Sequence, residues 1–284
     1  MNNSKKSIYS TELSIGIFDS GLGGLSVMKD ICKLLPFENI VYFGDTARMP
    51  YGTKSGGIIE RYAIENATFL MQKEIKALVV ACNTASCFSL TALQKIIPVP
   101  VIGVICPVVE AMVNEKNIKK IAILGTQATV SSGLYQKLLQ EAIPNVEVQA
   151  IACPLLVHLV EEEYLDHPFV SLIIQEYLAS LKKNHTDCII LACTHFPLLL
   201  KQIQKELPQG IRLIDPGMYC AHSLKKILEE KQLLNLSTET PTYRFYVSDG
   251  ADKFQKNGKK FFQGHLSSEL LSKLAVVVGP FGHY

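Results

Sequence analysis

The sequence predicts an α/β protein of two similar domains, each built on a mainly parallel sheet flanked by helices, with a cleft between them. Three observations predict it. Short apolar runs alternate with longer segments of helical period along nearly the whole chain. The runs are almost continuously apolar, as strands buried on both faces of a parallel sheet must be. Finally, ALVVACNTAS at 77–86 returns as DCIILACTHFP at 187–197, a buried strand ending in Ala-Cys and a hydroxyl-bearing turn.

The elements follow in order. Strands are expected at 13–18, 39–43, 77–81, 101–104, 119–124, 146–151, 188–192, 211–214 and 242–247. Helices are expected near 24–35, 55–74, 86–97, 107–115, 131–142, 168–182, 196–206, 217–231 and 252–262. Two more pairs of segments echo each other in the same order. IGIFDSGLGG, from 15, matches KIAILGTQATVSSG, from 120, each a strand entering a small polar turn with glycine. VYFGDTARMPYG at 41–52 matches VQAIACPLLVHLVEEE at 148–163, each a strand entering a loop with proline. Two half-units in one chain place one domain over 1–104 and the second over 105–214. The remainder, 215–284, holds a helix, a strand and a helix, too little to stand alone, and is assigned back to the first domain.

Composition narrows the function. Hydrophobic residues make up 48% of 284, enough for two cores, and 28 Lys and Arg against 26 Asp and Glu leave a net charge of +2. No basic stripe marks a nucleic-acid face, and the lysines from Lys253 to Lys260 read as a solvated helix face. The polar start MNNSKKSIYSTE is a tail without the apolar centre of a secretory signal, and no apolar run approaches the roughly 20 residues that span a bilayer. A cytoplasmic protein without membrane or nucleic-acid partners is expected. Eight cysteines without CxxC spacing indicate neither a disulfide framework nor a zinc site, so no metal is expected.

In parallel sheets, ligands bind beyond the carboxyl ends of the strands. Asp19-Ser20, Tyr51-Gly52, Cys82-Asn83-Thr84 and Cys193-Thr194-His195 all fall there. If the halves face each other, two cysteines meet one cleft from opposite sides. Moving a proton from one face of a tetrahedral carbon to the other needs such a pair. Each thiol is expected at a helix start, whose dipole would lower its pKa from about 8.5 toward neutrality. Asn83, Thr84, Thr194 and Ser20 could hold a carboxylate. Asp19 could cap the next helix, meet a substrate ammonium or assist Cys82, and His195 could cap, pack or relay a proton for Cys193. Within Glu161–Glu163, a solvated run, one carboxylate could reach the cleft mouth. Cys87 and Cys188 read as structural, Cys106 and Cys153 as loop residues able to line the cleft, and His158 as packing or surface.

From 13 to 264 the chain resembles the glutamate racemases of the cofactor-independent aspartate/glutamate racemase superfamily. The resemblance is carried in order by IGIFDSGLGGLSV, YFGDTARMPYG, VVACNTAS, GTQATVSSGLY, CPLLVHLVEEE, LACTHFPLL and IDPG. It implies interconversion of L- and D-glutamate for peptidoglycan, without cofactor or metal, in a homodimer. By motif, Cys82 and Cys193 would be the two acid/bases, supported by Asp19 and His195. Asp19, Ser20, Tyr51, Gly52, Asn83, Thr84, Thr194 and His195 would bind substrate, with Glu161 in a charged supporting role. The chain departs from the family at His158, where many relatives have proline.

Three other readings stay open on the residues alone. The substrate could be another acid such as aspartate. Cys193 and His195 could be a hydrolase's nucleophile and base. Two α/β domains around a cleft also describe a non-catalytic binding protein.

Overall fold

A computed structural model describes residues 10–115, 118–183, 186–261 and 276–278. The chain begins with β1 (Ser14–Asp19), α1 (Leu25–Leu34), β2 (Ile40–Gly44), α2 (Gly56–Met71), β3 (Ile75–Val80), α3 (Asn83–Ile96), β4 (Val101–Gly103) and α4 (Ile105–Val113). It continues with β5 (Lys120–Gly125), α5 (Gln127–Ser131), α6 (Leu134–Ala142), β6 (Glu147–Ala152), α7 (Pro154–Glu161), α8 (Pro168–Lys183), β7 (Cys188–Ala192), α9 (Leu200–Glu206) and β8 (Arg212–Ile214). The chain ends with α10 (Pro216–Glu230), β9 (Tyr243–Val247), α11 (Ala251–Phe261) and β10 (Val276–Val278).

One sheet has the order β10-β9-β2-β1-β3-β4 and the other β6-β5-β7-β8, and every described pairing is parallel. The second sheet therefore repeats the order of the first four strands, the physical form of the internal echo. Cys82 and Cys193 each follow the third strand of a sheet. β9 pairs with β2, so the chain beyond α10 rejoins the first sheet.

Local chemistry sets the boundaries. Cys82 caps α3 through its sulfur, which starts that helix at Asn83, three residues before the expected 86. The helix expected at 131–142 starts at Leu134, because Gly133 just before it adopts a left-handed φ of 66°. Phe196–Leu199 is a 3₁₀ turn before α9, where one helix was expected over 196–206. Asp215 caps α10, with Pro216 in its first turn. The sequence reading missed α5, α7 and β10; the loop expected after Cys153 is helical because Pro154 suits a first turn and apolar residues follow at helical spacing. One apolar cluster runs from Met28 through Leu224 and Val108 to Ile121 and Leu139, a core that the two domains share. No helix among the described residues is long and apolar enough to cross a membrane.

Candidate active site

The carboxyl ends of both sheets open on one cavity of about 340 Å³, its open mouth included. From the first sheet come Ser20 after β1, Met49 to Gly52 after β2, and Cys82, Asn83 and Thr84 after β3. The second sheet gives Thr126 after β5 and Cys193, Thr194 and His195 after β7, while Val157 of α7 closes one side. Both cysteines thus face a single space. Order 2-1-3-4 puts the change of winding direction between β1 and β3, where such sheets leave a crevice.

On the Cys82 side the sulfur accepts from the Ala85 N–H at 3.5 Å and lies 3.7 Å from Ser20 Oγ. Burial pushes this thiol well above its ordinary value, and the charge of Asp19 adds to the rise. The expected lowering by the helix terminus is corrected here: one N–H and one hydroxyl do not offset the loss of water around a fully enclosed sulfur. Asp19 lies just behind the cavity. Its Oδ2 accepts from the Gly21 N–H at 2.9 Å, and its Oδ1 from Thr194 Oγ1 at 3.3 Å, joining the ends of β1 and β7. Burial raises the Asp19 carboxyl, against the opposing pull of His195 and these donors.

On the Cys193 side the sulfur lies 3.8 Å from His195 Nδ1, and His195 Nε2 lies 2.7 Å from Glu161 Oε1. Burial alone would lower the imidazole's pKa, yet the hydrogen bonds and charges of Cys193 and Glu161 hold it well above 6.5. Protonated, the imidazole has one N–H for each neighbour. Burial opposes ionisation of Glu161, but His195 more than offsets this and lowers that carboxyl's pKa. Glu161 is buried at the end of α7 rather than solvated, whereas Glu162 and Glu163 are exposed.

The seam between the domains is polar. Tyr135 O–H of α6 donates to Asn83 Oδ1 at 2.7 Å, which leaves the amide N–H groups of Asn83 for other partners. Thr84, Thr126 and Thr129 hydroxyls meet at 2.9 to 3.0 Å. A Cβ on Gly52 would stand 2.5 Å from Thr126 Cβ, so only glycine lets these two chains pass. The Tyr51 hydroxyl is engaged away from the cavity, donating to Asp45 Oδ2 and accepting from Asn66 Nδ2.

Nine of the eleven residues singled out in the sequence line this cavity; Asp19 and Glu161 stand behind it, bonded to Thr194 and His195. Cys106 and Cys153 do not line it: Cys106 is inside α4 and exposed, and Cys153 is buried at the start of α7. His158 is exposed. Sequence reasoning missed Met49, Pro50, Thr126, Val157 and Tyr135. Thr126 was within reach, because it follows β5 as Ser20 follows β1; no pattern marks Tyr135. Among the described residues no cluster of three or more His, Cys, Asp or Glu could hold a metal ion.

The family model of Asp/Glu/hydantoin racemases matches residues 24–223. The chain belongs to this racemase family. Glutamate racemase from Geobacter metallireducens is 42% identical over 253 residues, 89% of this chain and 94% of that one. Among solved structures, a glutamate racemase isoform from Bacillus anthracis superposes with a TM-score of 0.89 at 35% identity, covering 96% of this racemase-family chain and 99% of its own. Glutamate racemase from Francisella tularensis, solved with D-glutamate, gives 0.86 at 36%, covering 96% and 100%.

Proposed function

We propose that the chain is a glutamate racemase that moves the α-proton of glutamate between Cys82 and Cys193. The observation that carries the reading is that both sulfurs border one cavity, each at the end of the third strand of its sheet. The glutamate racemases among its relatives support the choice of substrate.

In one direction the Cys193 thiolate, facing the His195 imidazolium, takes the α-proton as the C–H electron pair passes to the α-carbon and its carboxylate. Cys82, protonated because burial disfavours its thiolate, gives its S–H proton to the opposite face. Cys82 is then the thiolate and Cys193 the thiol, the state that runs the reverse reaction. Asn83 and Thr84, at the start of α3, have N–H groups without partners inside the helix, and these would receive a substrate carboxylate. Ser20, Tyr51, Gly52 and Thr194 would complete the binding site, with Asp19 and Glu161 holding Thr194 and His195 in place. Every proton has a side chain to carry it, so the step calls on no cofactor.

The same reading assigns the enzyme to the cytoplasm, supplying D-glutamate for peptidoglycan as a homodimer, with no membrane or nucleic-acid partner. It keeps the domain boundaries at 1–104 with 215–284, and 105–214.

The test is turnover of L-glutamate in deuterated water. Deuterium should enter the D product well before it enters unreacted L-glutamate, and aspartate should turn over more slowly. No exchange with glutamate, or faster exchange with aspartate, would overturn the assignment. A second reading has one observation in its favour: the chain Cys193–His195–Glu161 has the connectivity of a hydrolase nucleophile, base and orienting acid. It predicts an acyl adduct on Cys193, visible by mass spectrometry.

A further inference from the structure

The segment YFGDTARMPYG gave the cavity Met49, Pro50, Tyr51 and Gly52 but left Asp45 and Arg48 without a role. Asp45 is fully buried at the end of β2. Its Oδ1 accepts from Arg48 Nε at 2.9 Å and from Ser248 Oγ at 2.9 Å. Its Oδ2 accepts from Arg48 Nε at 2.7 Å and from the Tyr51 hydroxyl. Arg48 Nη2 donates to Asn66 Oδ1 at 3.0 Å, and Asn66 Nδ2 donates back to the Tyr51 oxygen at 3.0 Å. Asp45, Arg48, Asn66 and Tyr51 thus close a ring of hydrogen bonds behind the cavity wall. Ser248, just beyond β9, fastens it to the C-terminal part of the chain and accepts from the Ala47 N–H at 2.8 Å.

We infer that Asp45 is a positioning residue that sets substrate affinity by fixing the Met49–Gly52 wall of the cavity through this ring. The inference rests on the racemase reading of that cavity. Asp45 does not line the cavity, so it acts through Arg48, Tyr51 and Ser248. The ring also consumes the Tyr51 hydroxyl, leaving its ring and main chain for substrate. A network in which every member has its partners is rigid, and one lost acceptor unsettles all of it. The wall binds substrate and transition state alike, so loosening it raises KM and spares kcat. A residue needed only for folding would do the opposite, reducing the amount of active enzyme at unchanged KM.

Asp45→Asn keeps the shape but places an N–H₂ where Oδ2 received the Tyr51 hydroxyl. The expected result is a KM for glutamate raised about tenfold, with kcat within about threefold of the parent. Tyr51→Phe and Ser248→Ala, each removing one contact of Asp45, should move KM the same way. Asp45→Asn combined with Tyr51→Phe should cost less than the two effects together, since both open one ring. Should Asp45→Asn fail to fold, the other two single variants decide. Unchanged KM in the folded variants, or a fall in kcat alone, overturns the inference. Hydrogen exchange of substrate-free protein separates this from the fate of the racemase reading. Amides 46–54 of the variants should exchange about tenfold faster while β1 and β3 are unaltered, whether or not glutamate is the substrate. Unaltered exchange at 46–54 overturns it too.

Discussion

Glu161 Oε1 lies 2.7 Å from His195 Nε2, and burial shields both members of the pair from water. Glu161 reaches this position from the last turn of α7, and His195 from the loop after β7. The carboxylate raises the imidazole's pKa, and the imidazolium then presents its other N–H to Cys193.

Glu161→Gln should therefore shift the alkaline limb of kcat/KM. Without the facing charge, His195 loses its proton at a lower pH, because an opposite charge at contact distance favours the imidazolium. The L and D substrates must give superimposable profiles of kcat/KM, because the equilibrium constant between enantiomers is unity. An alkaline limb in the variant that coincides with the parent's would show that Glu161 does not govern this proton.

The same pair makes stability depend on pH in a defined window. His195, raised from 6.5, adds stability that is complete below that value and lost as the pH climbs through its folded-state pKa. Glu161, lowered from 4.5, adds stability present above that value and lost as the pH falls through its folded-state pKa. The difference in urea midpoint between parent and Glu161→Gln should be largest between 4.5 and 6.5 and shrink on both sides. A difference that is flat with pH would mean that the pair contributes nothing through its charges.

Cys82→Ser and Cys193→Ser should each lower racemisation at least about 10³-fold, within the range for loss of a proton-transfer group. Each variant keeps one thiol, so solvent deuterium should still enter one enantiomer, a different one in each. Proton NMR of L- and D-glutamate incubated separately in deuterated water reads this directly. Full racemisation by either variant would defeat the two-thiol mechanism.

The α/β alternation and the paired Ala-Cys turns were legible because each element carries its own local signal. The central strands β1, β2, β3 and β7 are buried throughout and mostly apolar, and most helices keep a 3.6-residue period. Contacts made across the chain were not legible. Tyr135 is bonded to Asn83, 52 positions away in sequence, and nothing about GLY before Gln136 announces it. Glu161 looked like its exposed neighbours because a run of three glutamates hides which one the helix turns inward. Cys82 looked like an activated thiol because the sequence marks its helix but not the depth of its burial.

Gly23 marks the closest approach between the first turn and the second domain. A Cβ there would stand 2.4 Å from Thr194 Oγ1 and 2.6 Å from His195 Nδ1. Gly23→Ala must displace Thr194 Oγ1, which donates to Asp19, and His195, which faces Cys193. Misplacement by about 1 Å can cost about 10²-fold in rate, and that loss in kcat/KM is the expected outcome. Activity equal to the parent's would show that the loop has room to yield.

Lys76 provides a test of the fold remote from the thiols. It lies in β3 with a fully buried side chain, where its Nζ meets Glu38 Oε2 at 2.5 Å and donates to the main-chain carbonyls of Thr11 at 2.5 Å and Leu233 at 2.8 Å. Glu38 Oε1 in turn accepts from the Asn235 N–H at 2.8 Å, so one ion pair ties β3 to the chain before β1 and after α10. Burial lowers the ammonium's pKa, and Glu38 partly restores it. Lys76→Met fills the volume but abandons the Glu38 carboxylate in a buried site. Breaking one partner of a buried pair costs about 3–5 kcal/mol. Adding Glu38→Gln removes the stranded charge and should recover part of that loss, the signature of a coupled pair. Urea denaturation of the parent, both single variants and the double variant measures it. A loss below about 1 kcal/mol for Lys76→Met would place the pair in the class of solvated ion pairs, which contribute little.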